Sequence, residues 1–343
     1  MLTSYHLFIK WLFLSLIFLS VSCQLGQQGS ATYEHSLCDF KLLSKKDAAK
    51  AVIVDTKEGY FEKVTALEIT LLLHLDKAAS TKEEVMDTYL KKLQDDTQNF
   101  TAEEQKALST LFAKALDMCQ AISPNLKLPE INLIKTAGGY YGASVFYTRD
   151  NCIVIPGIQL KSEATLLRTL IHEIFHIYSR YNTAKRDSLY AAIGYNKIKK
   201  LDLSHFLKKR ILYNPDGVDV NYAIEVQDTA GRSIQAVPII YSKFSSYQMV
   251  PFHRHFVFQL FEVVEEGGAW EIVSEEVGLG EREVAGYWEK IGRNTKYTIH
   301  PDEVLADNFA IIAFAKVNPE KELGRLNPAG KALLGKLEGI IKE

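Results

Sequence analysis

The sequence predicts an α+β fold, and changes in its periodicity carry that prediction. Apolar residues recur at helical intervals over about 45–122 and give way to two short β-rich runs over 142–160. Helical spacing returns over 162–181, strands separated by Gly, Asp and Ser turns fill 218–274, and 300–343 is helical again. The order of helices, strands, helix, strands and helices is an α+β arrangement.

The composition is that of a globular protein. The 343 residues are 47% hydrophobic and 24% charged, which suffices for one large domain or two ordinary ones. The formal net charge is −2, and basic and acidic residues are intermixed without a basic block. We therefore expect no nucleic-acid partner.

Residues 1–22 have the layout of a secretory signal peptide. Lys10 precedes twelve apolar or small residues, "WLFLSLIFLSVS", which are too few for a membrane span of about 20 residues. The following "LSVSC" resembles a bacterial lipobox, in which Cys23 is lipidated, but Ser20 and Ser22 equally suit ordinary signal-peptidase cleavage. We expect an exported protein, either a lipoprotein anchored in the membrane of a bacterial cell envelope or a periplasmic or secreted one.

The cysteines predict no metal site, because the chain contains no CxxC pair. If Cys23 is lipidated, Cys38, Cys119 and Cys152 permit at most one disulfide. If it is not, two disulfides are possible and their pairing is open.

A polar linker over 23–44 leads into a helical N-terminal region over 45–130. Residues 61–78 have apolar positions at helical spacing and predict one helix. Residues 91–99 are expected to connect it to the next helix, at 101–119.

Capping residues mark two helix starts. Thr101, followed three residues later by Glu104, forms a capping-box pattern. Ser162 is the expected N-cap of the helix over 162–181, and a second helix is expected over 185–198. The "TRDN" sequence ahead of Ser162 predicts a hairpin turn between two short strands.

The helix over 162–181 contains an HExxH sequence that includes His172, Glu173 and His176. Histidines four residues apart project from one helix face, so both can direct a nitrogen at a zinc ion about 2.0–2.1 Å away. Glu173 can take a proton from water beside the metal. A catalytic zinc usually has three protein ligands, so a third must come from elsewhere. The alternative interpretation is a satisfied pair of core histidines.

The strongest acidic candidate for the third ligand lies in "HPDEVLADNFA", residues 300–310. His300 and Asp302 begin a helix with proline near its first position, and Glu303 and Asp307 then lie four apart on one face. One carboxylate can bind the metal while the other accepts a hydrogen bond from a ligand histidine. The alternative, an acidic cluster that only complements the helix dipole, explains Asp302 and Glu303 better than Asp307.

With "EVLAD" after "HEIFH", the chain resembles the gluzincin clan of zinc metallopeptidases, in which Glu-x-x-x-Asp on a later helix completes HExxH. The Glu-x-x-Ala-Asp form is similar to the neprilysin-like and CAAX-type endopeptidases. The resemblance implies one Zn²⁺ per chain, bound by His172, His176 and Glu303. It implies Glu173 as general base and Asp307 as the hydrogen-bond partner of His172.

The interval between His176 and Glu303 is long for the clan, which implies a zincin-like catalytic domain over 131–343 with a β-rich insertion at about 215–275. The segment "SVFYTRDNCIVIPGIQL" resembles the neprilysin-like edge strand, which lies along the cleft and pairs with an extended peptide. Ser144 stands where that strand has a substrate-binding asparagine.

The chain also lacks a histidine after Glu303, although many gluzincins use one to stabilise the transition state. The developing oxyanion therefore needs another hydrogen-bond donor. Tyr297 and His300, just before the ligand helix, are the first candidates. The next candidates are His253, His255 and Tyr287.

The predicted function is a zinc-dependent peptidase that hydrolyses a peptide or protein substrate with metal-activated water. One alternative is a non-catalytic zincin-fold lipoprotein that binds a partner or glycan. Another is a zinc hydrolase of a non-peptide amide such as a cell-wall fragment. The sequence leaves the substrate and the oligomeric state open.

Overall fold

The computed structural model describes residues 29–139, 141, 145–161, 163–274 and 277–343. The expected signal peptide, the lipidation candidate Cys23, and the positions Ser144 and Ser162 lie outside the described residues. Within the described ranges, no helix combines the length and the apolar character that a membrane crossing requires.

The described residues form an α+β fold, as the order of periodicities predicts. The helices are α1 (Lys45–Ala51), α2 (Tyr60–Lys63), α3 (Ala66–Leu72), α4 (Glu83–Asp95), α5 (Ala102–Gln120), α6 (Glu163–Tyr181), α7 (Thr183–Ala192), α8 (His205–Lys208), α9 (Phe252–His255), α10 (Tyr287–Lys290), α11 (Pro301–Val317), α12 (Pro319–Leu323) and α13 (Pro328–Lys342). The strands are β1 (Ala31–Tyr33), β2 (Phe40–Leu42), β3 (Thr97–Gln98), β4 (Ile131–Thr136), β5 (Tyr147–Arg149), β6 (Cys152–Pro156), β7 (Tyr195–Lys197), β8 (Leu201–Asp202), β9 (Tyr222–Gln227), β10 (Ser233–Ser242), β11 (Phe256–Glu266) and β12 (Ala269–Ile272).

The first sheet has the strand order β1-β2-β4-β6-β5, with β3 paired to β4. The central strands β2, β4 and β6 are parallel, whereas β5 runs antiparallel to β6 across the predicted "TRDN" turn. Asp150 adopts a φ of 47° in this turn, a left-handed conformation that aspartate tolerates better than most residues. Within the described sheet, β5 is therefore the terminal strand on this side.

The second sheet has the order β7-β9-β10-β11-β12-β8 and lies in the chain between α7 and α11. Its neighbours are antiparallel except for β12 and β8. The central strand β10 is buried on both faces: Ile234 and Ala236 join the main core, whereas Val237 and Ile239 join a separate apolar cluster. The region between the two metal-site motifs is thus a folded sheet with packing of its own.

The main core holds α6 against α11. Leu170, Ile174 and Phe175 of α6 and Phe309 of α11 are at most 1% exposed, and the two phenylalanine rings lie 5.3 Å apart. Fully burying each such side chain stabilises the fold by about 1.5–3 kcal/mol. This packing fixes the relative position of the helices that contain the two motifs.

The helices α1 to α4 pack on the first sheet. Val52, Tyr60 and Leu72 share a buried cluster with Ile134 of β4 and Val154 of β6. The N-terminal helices therefore share a core with the strands that lead to β5.

The prediction of a single helix over 61–78 is wrong, because α2 and α3 divide this segment. Val64 is extended with a ψ of 134°, and the Thr65 side chain then accepts a hydrogen bond from Glu68 N to begin α3. An N-cap threonine satisfies a free amide at a helix start, which here breaks a segment of continuous helical periodicity. By contrast, the capping box of Thr101 and Glu104 at the start of α5 is confirmed.

Two other boundaries also differ from expectation. Most of the connection expected at 91–99 belongs to α4, because Val85, Tyr89 and Leu93 bury one continuous helix face. The helix expected over 185–198 ends earlier, since Gly194 adopts a φ of 88° and β7 follows it.

Candidate metal centre

The helix α6 presents both motif histidines to one site. The rings of His172 and His176 lie 4.7 Å apart with an interplanar angle of 78°. Their side chains are 12% and 0% exposed. Their ring nitrogens therefore need partners inside the protein.

Glu303, in the first turn of α11, completes the group. Its Oε2 lies 3.0 Å from His172 Nε2 and 3.4 Å from His176 Nε2. Its Oε1 accepts a hydrogen bond of 2.7 Å from Asn214 Nδ2, which leaves Oε2 on the histidine side. The ligating atoms of the two histidines and Glu303 lie within 4.8 Å of one another, so this buried group could hold a metal ion.

Each histidine has a carboxylate on its other ring nitrogen. Asp307 Oδ1 lies 3.0 Å from His172 Nδ1, and Asp302 Oδ2 lies 2.7 Å from His176 Nδ1. Such a carboxylate holds the proton on Nδ1, so Nε2 keeps its lone pair for a metal. Asp307 therefore lies where the resemblance places it, beside His172.

Asp302 does more than complement the dipole of α11. Besides the hydrogen bond with His176, it accepts hydrogen bonds from Ser179 Oγ at 2.5 Å and Tyr190 Oη at 2.8 Å. A buried carboxylate with three hydrogen-bond partners is held in one orientation. The hypothesis that Asp302 only complements the helix dipole is thus incomplete.

Two buried polar atoms at the centre lack a hydrogen-bond partner among the described residues: His176 Nε2 and Glu173 Oε2. Glu173, His176 and Asp216 form a second group close enough for a metal ion. His176 Nδ1 is bonded to Asp302, so Nε2 serves both groups and they describe one centre. A nitrogen and a carboxylate oxygen left without partners fit a cation with a water molecule beside it.

Asn214 and Asp216 lie in the turn between α8 and β9. Asp216 Oδ1 accepts hydrogen bonds from Thr148 N at 2.5 Å and Thr148 Oγ1 at 2.6 Å, which tie the turn to β5. Gly217 lies directly against His300, and a Cβ there would overlap the imidazole. The glycine therefore allows the turn to approach the start of α11.

The charges of the centre shift its titrating groups. Burial, reinforced by the charge of Asp216, raises the pKa of Glu173 to about 8. Burial lowers the pKa of His172, but its hydrogen bonds to Asp307 and Glu303 outweigh this effect and raise the pKa to about 10. Burial likewise opposes ionisation of Glu303, yet the adjacent histidines hold its pKa below the usual range. The carboxylates thus create a field that favours positive charge at the centre.

A cleft of about 750 Å³ opens onto these residues. Its described lining consists of Val145, Phe146, Gln159, Thr165, Arg168, Thr169, His172, Glu173, Asp216, Tyr297, Glu303 and Asp307. The cleft therefore brings the segment before β5 to the same space as the HExxH residues.

Tyr297 is well placed among the oxyanion candidates. It is 44% exposed, and its ring stacks on that of His172 at 6.2 Å with an interplanar angle of 26°. Partial burial and the charges of Glu303 and Asp216 raise the pKa of Tyr297. The phenol keeps its proton at neutral pH and can donate a hydrogen bond.

His300 is not available for that role. Its Nδ1 accepts a hydrogen bond from Asp302 N at 3.1 Å, and its Nε2 donates to Asp219 O at 3.1 Å. The residue is 4% exposed and caps α11. His300, a predicted oxyanion donor, is thus the N-cap of α11. Its side chain accepts a hydrogen bond from a first-turn amide that has no partner within the helix.

Two of the remaining candidates are engaged elsewhere. His255 is buried between Ser242 Oγ at 2.9 Å and Gln248 O at 2.8 Å. Tyr287 is buried and donates to Thr298 O. His253 borders a smaller cavity that adjoins the cleft. Tyr297 is thus the candidate that lines the metal cleft itself.

Arg180 ties the end of α6 to the β5–β6 hairpin. It donates to Asp150 O at 3.0 Å and to Thr148 Oγ1 at 2.9 Å, and its Nε lies 3.3 Å from Glu58. Because Thr148 also donates to Asp216, one hydrogen-bond network joins α6, β5 and the turn that contains Asn214.

Sequence reasoning missed Asn214 and Asp216. Their segment, "NPDG", predicts only a turn, and nothing in its spacing links it to the HExxH sequence.

The three cysteines among the described residues, Cys38, Cys119 and Cys152, are free thiols.

Family models, curated protein sequences and solved structures gave no match to this chain. The functional assignment therefore depends on the motifs and on the geometry of the centre.

Proposed function

We propose that the protein is a zinc-dependent peptidase of the gluzincin type with a zincin-like catalytic domain. In this proposal His172, His176 and Glu303 hold the metal. The observation that carries the proposal is the environment of the Glu173 carboxylate, which lies on α6 between the two histidines. Its Oε2 is buried beside the candidate ligands and has no hydrogen-bond partner among the described residues.

The donor set favours zinc over other ions. Two imidazole nitrogens and one carboxylate oxygen are a ligand set found at catalytic zinc, with the fourth position left for water or substrate. The two candidate ligand groups among the described residues contain no cysteine, and both include an imidazole nitrogen, which argues against an iron–sulfur or a calcium site. Bound zinc would supply Lewis acidity, lowering the pKa of a water and polarising a carbonyl oxygen.

The side chains of this protein have separate tasks in the proposed reaction. Glu173 takes the proton of the attacking water and delivers it to the leaving amine, as a general base and then a general acid. Tyr297, with its phenol protonated, donates a hydrogen bond to the developing oxyanion.

The strand β5 has a place in substrate binding under this proposal. It is terminal in the described sheet, and Val145 and Phe146, which precede it, line the cleft. The three residues of β5 are buried, and Thr148 N is already bonded to Asp216. An extended peptide would therefore lie along Val145 and Phe146, ahead of β5, and run past Glu173. Thr148 would support this edge through Asp216 and Arg180.

The test is hydrolysis of a broad peptide library by zinc-loaded protein, with and without chelator. We expect chelator-sensitive cleavage, one zinc per chain, and a rate lowered about 10²–10⁴-fold in Glu173→Gln with its zinc retained. Glu289→Gln, at a carboxylate that is 62% exposed, is the matched control and should keep full activity.

Other outcomes of this experiment would point elsewhere. Full activity of Glu173→Gln would contradict the general-base mechanism. Cleavage of cell-wall amides but not of peptides would indicate an amide hydrolase, and zinc binding without hydrolysis would indicate a binding protein.

A further inference from the structure

A cavity of about 520 Å³ lies beside the segment that leads into α11. Its described lining consists of Glu281, Arg282, Val284, Trp288, Arg293, Thr295 and Lys296. We call it the basic cavity, because three of these residues are cationic and one is anionic. Its volume lies within the range of ligand pockets.

The basic cavity is a neighbour of the metal cleft. Thr295 lines the cavity and donates a hydrogen bond to Asp307, which lines the cleft. Lys296 also lines the cavity, and the next residue, Tyr297, lines the cleft and stacks on His172. One extended peptide, which spans about 3.3 Å per residue, can therefore reach from the cleft to the basic cavity.

The cations of the basic cavity are largely free to bind a ligand. The side chains of Arg282 and Lys296 are exposed and have no ion-pair or hydrogen-bond partner among the described residues. Arg293 forms an ion pair with Glu289, but the two side chains are 51% and 62% exposed. A pair so exposed to water contributes little, so Arg293 can exchange Glu289 for a ligand at small cost.

Hydrogen-bond donors outnumber the free acceptors in these walls. One oxygen of Glu281 already accepts a hydrogen bond of 2.7 Å from Thr298 Oγ1. The indole N–H of Trp288 has no hydrogen-bond partner within the described ranges. Guanidinium, ammonium and indole groups are donors only, so together they suit a ligand whose exposed atoms are anionic oxygens.

Backbone strain marks the same segment. Arg293 adopts a φ of 58°, a left-handed conformation that is uncommon for arginine, and it follows Gly292 with a φ of 80°. Residues held in such sparsely populated conformations cluster at sites that bind a ligand. The strain thus favours a binding role independently of the charges.

We propose that the basic cavity binds an oxyanion group such as a carboxylate or a sulfate. Two sources supply this chemistry: an acidic side chain of a peptide that lies in the metal cleft, or a free anion. The binding of an oxyanion does not depend on the proposed peptidase function, and only the peptide source rests on it.

The first test measures binding without hydrolysis. Sulfate and a tetraglutamate peptide are titrated calorimetrically into zinc-loaded Glu173→Gln protein, with chloride and tetraglutamine as comparisons. We expect an oxyanion ligand to bind more tightly than its comparison, and Arg282→Gln and Lys296→Gln in that background each to weaken it about fivefold. Binding of sulfate would assign the site to a free anion, and binding of tetraglutamate alone would assign it to a peptide.

Matched controls carry the same changes elsewhere. Arg254→Gln and Lys331→Gln remove one positive charge each at exposed positions outside the basic cavity, and both should keep the original affinity. The inference is overturned if neither sulfate nor tetraglutamate binds, or if the controls weaken binding as much as Arg282→Gln and Lys296→Gln do.

The second test separates the site from the peptidase. Peptides that carry either glutamate or glutamine at successive distances from the scissile bond are offered to the zinc-loaded wild type. A peptide source predicts a kcat/KM about fivefold higher for glutamate at one distance, with that advantage lost in Lys296→Gln and kept in Lys331→Gln. Oxyanion binding in the first test without cleavage of any peptide would keep the basic cavity as a binding site and reject the peptidase.

Discussion

Asp302 Oδ2 and His176 Nδ1 form a hydrogen bond of 2.7 Å between side chains that are 2% and 0% exposed. Asp307 holds His172 through the equivalent nitrogen, but its side chain is 36% exposed. Two carboxylates near the start of one helix therefore orient both histidines, one from the core and one from the cleft. Both leave Nε2 directed at Glu303.

Removing either carboxylate should weaken metal binding. Loss of the partner of a ligand histidine typically costs 10–100-fold in metal affinity. We expect Asp302→Asn to lie at the upper end of that range and Asp307→Asn at the lower end, because Asp302 is more deeply buried. Competition with a chromogenic zinc chelator measures both affinities.

The control for this pair is Asp117→Asn. Asp117 also bonds a histidine, His35, at 3.1 Å, but its side chain is 70% exposed. Its substitution should leave metal affinity unchanged. An Asp302→Asn protein with wild-type affinity would contradict the orienting role of Asp302.

Metal removal should lower the thermal stability. A ligand that binds only the folded state stabilises it by about 2.7 kcal/mol when its free concentration is 100 times the Kd. We expect a chelator to lower the Tm of the zinc-loaded protein by a few degrees, and added zinc to restore it. The Tm of Glu303→Gln should change little with the chelator or with added zinc. A wild-type Tm that neither the chelator nor added zinc changes would contradict a bound metal.

His300 and Tyr297 should respond in opposite ways to substitution. His300→Ala removes the N-cap of α11 and should lower the free energy of unfolding by about 0.5–2 kcal/mol, with little effect on the rate per folded molecule. His300→Asn should recover part of that loss, since asparagine is a good N-cap. Tyr297→Phe should leave stability nearly unchanged while lowering kcat about 10²–10³-fold.

Denaturant unfolding and kcat measured on the same samples separate the two effects. A normal kcat in Tyr297→Phe would remove Tyr297 from the oxyanion site.

Glu68 should make stability depend on pH. It is buried, accepts hydrogen bonds from Tyr60 Oη and Tyr213 N, and burial raises its pKa from 4.5 to about 7. The folded state therefore holds a proton between pH 4.5 and 7 that the unfolded state has released. This contribution to the free energy of unfolding falls as pH rises through that window, by about 3 kcal/mol at most.

Glu68→Gln should remove that dependence. Unfolding at pH 5 and pH 7 would show the variant gaining stability relative to the wild type as pH rises. Glu83→Gln, at an exposed carboxylate, should follow the wild type. Equal pH slopes in Glu68→Gln and the wild type would show that Glu68 ionises normally in the folded protein.

Short-range features were the predictable part of the fold. The HExxH helix, the capping box of Thr101, the hairpin at "TRDN" and the proline start of α11 all depend on residues within a few positions of one another. Periodicity failed at Val64, where a threonine cap decided the boundary. At 91–95 the polar composition predicted a connection, although Leu93 continues the buried helix face of Val85 and Tyr89.

By itself, the sequence determined which side chains share a helix face: His172 with His176, and Glu303 with Asp307. Helical geometry sets those spacings, so they need no tertiary information. Tertiary structure alone decided that Asn214 and Asp216 reach the centre, and that His300 Nε2 bonds to Asp219 O instead of facing the cleft. The physical reason is that the packing of α6 on α11, and the turn held close by Gly217, bring together atoms that are distant in the chain.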